Sequence, residues 1–531
     1  TALRHGLYAP RNLMTGRCSV PSKPQFNFFW CWDTPFHTIG QSEFSGLFPT
    51  MSFNVGGTGM AMQNLYTQFE GQDPITGQVY MMLNDGLSAD LLIYSQPPAH
   101  SWAITEIYLR EKDRTTARGF LEDMYEKSDR YMQFWDLERD VDRDGLYEYN
   151  SGMETGWDDT PRYTSGGVVT GFAPVLSIDA IDLNSWLYMY YMELFSWADW
   201  LGNPDDSSYW KEKAKNLAEL VENRMWCEED KAWYDIINQN GTHEFVRVPT
   251  PAMWFPAYAG LSRNETRIKN VIENHLLNPE EFFGKYPIPT VAYNSEHYNH
   301  EEDGLYWKGQ IWLITAYVSL KTLYQYGYED EAEELRTRLL EMMSDKGGIY
   351  ENYDAKTGEV GWTDLVGYPS AFQFGWSSTF TMETLLDRYQ RMRYLLSDET
   401  SFSGHVKEAK ELATGETIYI VETGEYEVPK VEVASLDRKS LMEADEVELT
   451  FSDPYGNMAS ANATIKLKDL SFDAVVGHTY RVSLITGTVV DITESQKEMN
   501  GKVPGFNGFD VVVVMSVAIC IGMLLKRRKS A

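Results

Sequence analysis

Four short segments hold the residues best suited to moving protons. The most informative is 151–163, Ser-Gly-Met-Glu-Thr-Gly-Trp-Asp-Asp-Thr-Pro-Arg-Tyr. Here Asp158 and Asp159 follow Trp157 in a stretch with two glycines. A carboxyl group lodged against an indole loses solvation of its charged form, which raises its pKa and suits it to general-acid work. Thr160 with Pro161 also reads as a helix N-cap followed by proline at the first helical position, which accounts for those two residues but not for the acids. Glu351 lies in the second segment, 347–358, ahead of a turn from Asp354 to Gly358; taken alone it reads more readily as a solvated loop residue. The third, 28–36, sets one charge, Asp33, beside Trp32 in an aromatic run, as a helix cap or as a partner for hydroxyl groups. The fourth, 306–312, Tyr-Trp-Lys-Gly-Gln-Ile-Trp, stands at the start of a predicted helix.

Composition narrows what such residues could act on. Asp and Glu number 78 against 46 Lys and Arg, a net charge of −32. A nucleic-acid binder needs a basic face, and this is the opposite sign. Aromatic residues make up 14%, with 16 Trp and 33 Tyr. They suit a large core, and equally the flat C–H faces of sugars. The four cysteines, Cys18, Cys31, Cys227 and Cys520, show no paired metal spacing and no disulfide framework.

The elements that must position these residues are mostly helices. Periodicity predicts helices over about 101–113, 115–136, 183–201, 207–225, 265–277, 311–326, 330–343 and 379–395, separated by aromatic, glycine-rich loops. So many antiparallel pairs without a fixed repeat point to a closed ring of hairpins rather than a solenoid. After about Thr400 short alternating segments such as 417–421, 447–451 and 480–484 predict a small all-β sandwich over 400–496.

Together the four segments resemble family 63 of the glycoside hydrolases and its mannosylglycerate and glucosylglycerate hydrolase relatives, over about residues 24–395. The resemblance implies an all-α (α/α)₆ toroid over 1–397 that cleaves terminal α-linked glucose or mannose with inversion and without a cofactor. It places the general acid on Asp158 and the general base on Glu351, with Gly375-Trp376 following. It implies substrate contact for Trp32, Asp33, Trp157, Asp159, Arg162, Trp307, Lys308, Gln310, Trp312 and Trp376. Lys308 and Gln310 stand where the family usually has Arg and Pro. The rival readings are a non-catalytic carbohydrate-binding surface protein on the same scaffold, and another toroid enzyme such as a lyase. A lyase acting on a uronate would meet repulsion from the acidic loops.

Two further features stand apart. Asp140, Asp142 and Asp144 begin a segment that resembles a calcium loop, although Ser151 occupies the twelfth position where an acid is expected; a tight acidic turn between helices is the alternative. At the other end, 497–505 reads as a linker, 506–525 as a membrane-spanning or sorting helix, and 526–531 as a basic tail. About 20 apolar residues suffice to span a bilayer, and the basic cluster predicts a cytoplasmic end with the rest of the chain at the cell surface. Pro504-Gly505-Phe506 before this stretch resembles an archaeal surface-sorting signal. Thr1 in place of an initiator Met predicts a fragment or a processed chain.

Overall fold

The computed structural model describes residues 7–8, most of 16–385, and the strands between 394 and 491. Eleven helices are used here, numbered in chain order: α1 Asp33–Leu47, α2 Thr58–Glu70, α3 His100–Arg110, α4 Arg114–Glu138, α5 Ile181–Leu201, α6 Pro204–Arg224, α7 Phe255–Tyr258, α8 Glu265–Val271, α9 Leu313–Gln325, α10 Glu329–Ser344 and α11 Gly375–Leu385. A 3₁₀ turn, Pro251–Trp254, leads into α7, and a π turn, Ile272–Leu276, extends α8.

Two kinds of helix alternate, and their burial says why. In α5 and α9 nearly every residue is buried, so both are apolar or aromatic all round, as an interior helix must be. In α6 only Ser207, Trp210, Ala214, Leu217 and Val221 are buried, a single stripe at three- and four-residue spacing. Helix α10 likewise buries Ala332, Leu335, Leu339, Met342 and Met343. The fully buried helices form the inner layer. Contacts run α1 to α3, α3 to α5, α5 to α7, α7 to α9 and α9 to α11, and α11 returns to α1. This closes the ring. Helices α2, α4, α6 and α10 lie outside it, each against the inner helix next to it in sequence.

Local signals set the hairpins. Gly202 caps α5 at φ +84°, a left-handed conformation that suits glycine. Pro204 then opens α6, with Asp205 and Asp206 in its first turn and Arg224 in its last, as the helix dipole favours. Asp113 caps α4 by accepting from the amides of Thr115 and Thr116 at 3.0 and 3.3 Å.

All the predicted helices are present, with ends moved by a few residues. The last is corrected: α11 starts at Gly375, and Tyr394–Leu396 is a strand, where the sequence suggested helix through Leu395. Helices α1 and α2 were not anticipated. Beyond them the chain forms strands β1 Tyr394–Leu396, β2 Glu408–Glu411, β3 Thr417–Thr423, β4 Lys430–Ser435, β5 Glu446–Ser452, β6 Asn462–Leu467, β7 Leu470–Val475, β8 Thr479–Ser483 and β9 Val489–Asp491. They pair antiparallel into a five-stranded sheet, β1-β2-β3-β6-β7, and a four-stranded sheet, β4-β5-β8-β9. Among the described residues no helix is long and apolar enough to cross a membrane. The predicted linker, span and basic tail at 497–531 lie outside the described residues.

Candidate active site

The motif segments gather where inner helices begin. Asp33 is the first residue of α1, segment 306–312 runs into α9, and Gly375-Trp376 opens α11. The loop 151–163 reaches the start of α5 through Arg162. A two-residue strand pair, Ile311↔Tyr353 and Trp312↔Asn352, sets Glu351 beside the approach to α9.

Asp33, Asp158 and Glu351, far apart in sequence, lie within electrostatic reach of one another. Burial holds the Asp158 carboxyl well above the usual carboxylate range, and the charges of Asp159 and Glu351 push it further the same way. Burial does the same to Asp33, reinforced by Glu351 and Asp158. Asp33 and Glu351 are buried, at 5% and 1% exposure, whereas Asp158 stays partly accessible. Glu351 Oε1 accepts from the Tyr306 hydroxyl at 2.8 Å, and Oε2 accepts from the Ala371 amide at 3.3 Å. Burial and the nearby acids keep the Tyr306 hydroxyl protonated, so it remains a donor to Glu351. Tyr306 lies in the fourth segment, but its role could not be read there because it depends on the pairing of 311–312 with 352–353.

The tryptophans of the motif segments pack against one another. Trp157 stacks on Trp307 with ring centroids 5.1 Å apart, and Trp307 on Trp312 at 3.9 Å. Trp32 meets Trp376 and Phe36 edge-on, each at 5.4 Å. Gly156, at φ +71°, brings the acid loop down onto the Trp32 ring, where a Cβ would come within 2.8 Å of the indole. All five tryptophans are at most 3% exposed. Their rings are spent largely on one another, so they hold the segments together through packing. Asp159 Oδ1 accepts from the Trp307 amide at 2.7 Å, and Lys308 Nζ lies 3.5 Å from its Oδ2, binding the acid loop to the fourth segment.

Arg162 and Gln310 both have partners within the protein. Arg162 is buried, with Asp235 and Asp182 as its partners. Gln310 is buried too; its side chain donates to the Trp362 carbonyl and accepts from the Trp362 amide, both at 3.1 Å, bracing a neighbouring strand.

A second acidic group lies between α4 and α5. Carboxylate oxygens of Asp140, Asp142 and Asp144 all lie within 4.8 Å of one another. Glu148 and Asp179, both buried, lie within electrostatic reach of it. Burial, then neighbouring acids, pushes Glu148 up to about 9 and Asp179 up to about 8. Arg224 pairs with Asp144. Asp179 was not visible from the 140–151 spacing because it arrives from the segment before α5.

The mannosylglycerate hydrolase MGH1-like glycoside hydrolase domain matches residues 27–377, well over half of the chain. The chain belongs to this glycoside hydrolase family. Its relatives are enzymes. One similar to it is a mannosylglycerate hydrolase of Rubrobacter radiotolerans, 21% identical over 343 residues, covering 55% of this chain and 74% of that one. Another is a rabbit (Oryctolagus cuniculus) trehalase, 24% identical, covering 46% of this chain and 41% of the relative. The chain thus spans less than half of the trehalase. Among solved structures, a GH63 mannosylglycerate hydrolase from Thermus thermophilus in complex with glucose superposes with a TM-score of 0.57 at 18% identity, covering 70% of this chain and 96% of that one. Neutral trehalase Nth1 of Saccharomyces cerevisiae gives 0.54 at 17%, covering 70% and 73%. These likenesses fix the helical domain as resembling the (α/α)₆ toroid of this family.

Proposed function

We propose that the chain hydrolyses a terminal α-linked glucose or mannose from an oligosaccharide or a glycosylglycerate, with inversion. The observation that carries this reading is the meeting of Asp158 and Glu351 with opposite equipment. Asp158 is partly accessible and held protonated by burial and by Asp159 and Glu351. It delivers its proton to the glycosidic oxygen. Glu351, aligned by Tyr306 and the Ala371 amide, takes a proton from a water on the opposite face of the sugar. An inverting pair keeps its carboxyl groups ~6.5–9.5 Å apart to leave room for that water. Asp33, pressed between these two charges and raised by burial, offers a hydroxyl partner for the glycone.

Conservative variants test the division of labour. Asp158→Asn and Glu351→Gln keep shape but remove the proton and the base, and each is expected to cut kcat by about 10²–10⁴-fold. An aryl α-glycoside with a very good leaving group needs little protonation, so it restores the Asp158 variant and not the Glu351 variant. Equal rescue of both, or full activity in either, would overturn the assignment.

The carboxylates of Asp140, Asp142 and Asp144 present only hard oxygen donors, the kind calcium prefers. We read the cluster as a structural calcium loop at the end of α4, outside the chemistry.

A further inference from the structure

The loop carrying Asp158 is held at both ends by buried ion pairs of opposite polarity. Before Asp158, the loop supplies the acid: Glu154 is fully buried against Arg139, the residue that caps α4. Glu154 Oε1 accepts from Arg139 Nη2 at 2.7 Å and from the Ser95 amide at 2.6 Å. Its Oε2 accepts from Arg139 Nε at 2.8 Å and from the Asn150 amide at 2.5 Å. After Asp158, the loop supplies the base: Arg162 grips Asp235 with two hydrogen bonds, 2.8 and 2.7 Å, and reaches Asp182 at 2.5 Å. Asp235 also accepts from the Ile181 amide at 2.8 Å, in the first turn of α5. Glu154 and Arg162 stand four residues before and four after Asp158.

Net stability is a weak reason for such pairs. Desolvating both partners costs about as much as their attraction returns, and well-packed apolar residues often serve a core as well or better. What an arginine fork locked on a carboxylate adds is direction. Between the clamps, Trp157 lies under the Arg162 guanidinium at 5.0 Å and stacks on Trp307, and Gly156 rests on Trp32. The loop is therefore fixed to α4 on one side and to α5 on the other, while Glu351 is set by a separate strand pair.

We propose that Arg139–Glu154 and Arg162–Asp235 are positioning pairs that fix where the Asp158 proton is delivered. This rests on the reading of Asp158 as the general acid. They touch no substrate and act through the loop.

The test compares two aryl α-glycosides, one with a poor and one with a good leaving group, across Glu154→Gln, Arg162→Lys and Asp235→Asn, with Asp158→Asn alongside. A misplacement of about 1 Å costs on the order of 10²-fold, so each clamp variant loses about that much kcat on the poor leaving group, with KM changed by less than about threefold. The loss shrinks on the good leaving group, as it does for Asp158→Asn. A thermal melt of each variant separates this from general loosening, which would slow both substrates alike. If one clamp variant fails to fold, the other end of the loop answers the same question. Clamp variants that lose equally on both substrates, or lose nothing, while Asp158→Asn remains leaving-group dependent, would overturn the proposal alone. An Asp158→Asn variant without leaving-group dependence would overturn the underlying reading and the clamps with it.

Discussion

Asp158 is poised first by its burial and then by the charges around it. Asp159 contributes the largest charge effect on it and Glu351 the next, both upward. A raised acid is protonated below its pKa, so activity falls as pH rises through that value. Replacing Asp159 with Asn removes the neighbouring negative charge, yet its side-chain oxygen can still accept from the Trp307 amide. It also ends the ion pair with Lys308, whose positive charge then acts in the same direction. The alkaline limb of kcat/KM should therefore move to lower pH in Asp159→Asn. A limb that stays put or moves up would contradict this account of the acid. At this scale the sequence already exposed Asp158, Glu351 and Asp33, because each is a carboxyl group in an aromatic or glycine-rich setting. The partners of Arg162 and Gln310, Asp235 and Trp362, are distant in the chain and carry no local signal, so these bonds could not be read from the sequence.

The inner helices must approach one another closely enough to close the ring, and the contact of α11 with α1 is the tightest test of that. A Cβ on Gly375 would fall 2.0 Å from His37 Nε2. His37 is fully buried, burial pushes its imidazole down to about 3, and Ser19 lies at 3.1 Å from Nδ1. Gly375→Ala must therefore displace α1, which begins with Asp33, or α11, which carries Trp376. Overpacking of this kind costs about 1–3 kcal/mol, so both melting temperature and kcat should fall. Adding His37→Ala makes room, and the double variant should be more stable than the sum of the single changes predicts. Additive losses would show that the contact is not what limits the approach. The same helix explains why periodicity failed for α1. Thr34, His37, Thr38, Gln41 and Ser42 are polar yet buried, so no apolar stripe marks it. The outer helices α6 and α10 were plain because one face of each meets water.

At the scale of the whole molecule, the ring brings Asp33 of its first helix and Trp376 of its last to one site, and two of its joints carry extra fastening. The clamp at Arg139 and the acidic cluster at 140–144 both lie at the end of α4, with Asp179 just before α5. If the cluster holds calcium, a concentration a hundred times the dissociation constant stabilises the fold by about 2.7 kcal/mol. Calcium should raise the melting temperature of chelator-treated protein, and Asp142→Asn should abolish the rise; an unchanged melt would refute the calcium loop. Strands such as β3, β5 and β8 were legible from alternation and turn residues, whereas β1 was read as helix, and the division into a five- and a four-stranded sheet depends on long-range pairs such as β3 with β6. The central claim remains that one water displaces the aglycone across the pocket from Asp158. Proton NMR of a hydrolysed α-glycoside, recorded before the sugar mutarotates, tests it most directly. The account predicts that the β-anomer of the released sugar appears first; initial release of the α-anomer would contradict it.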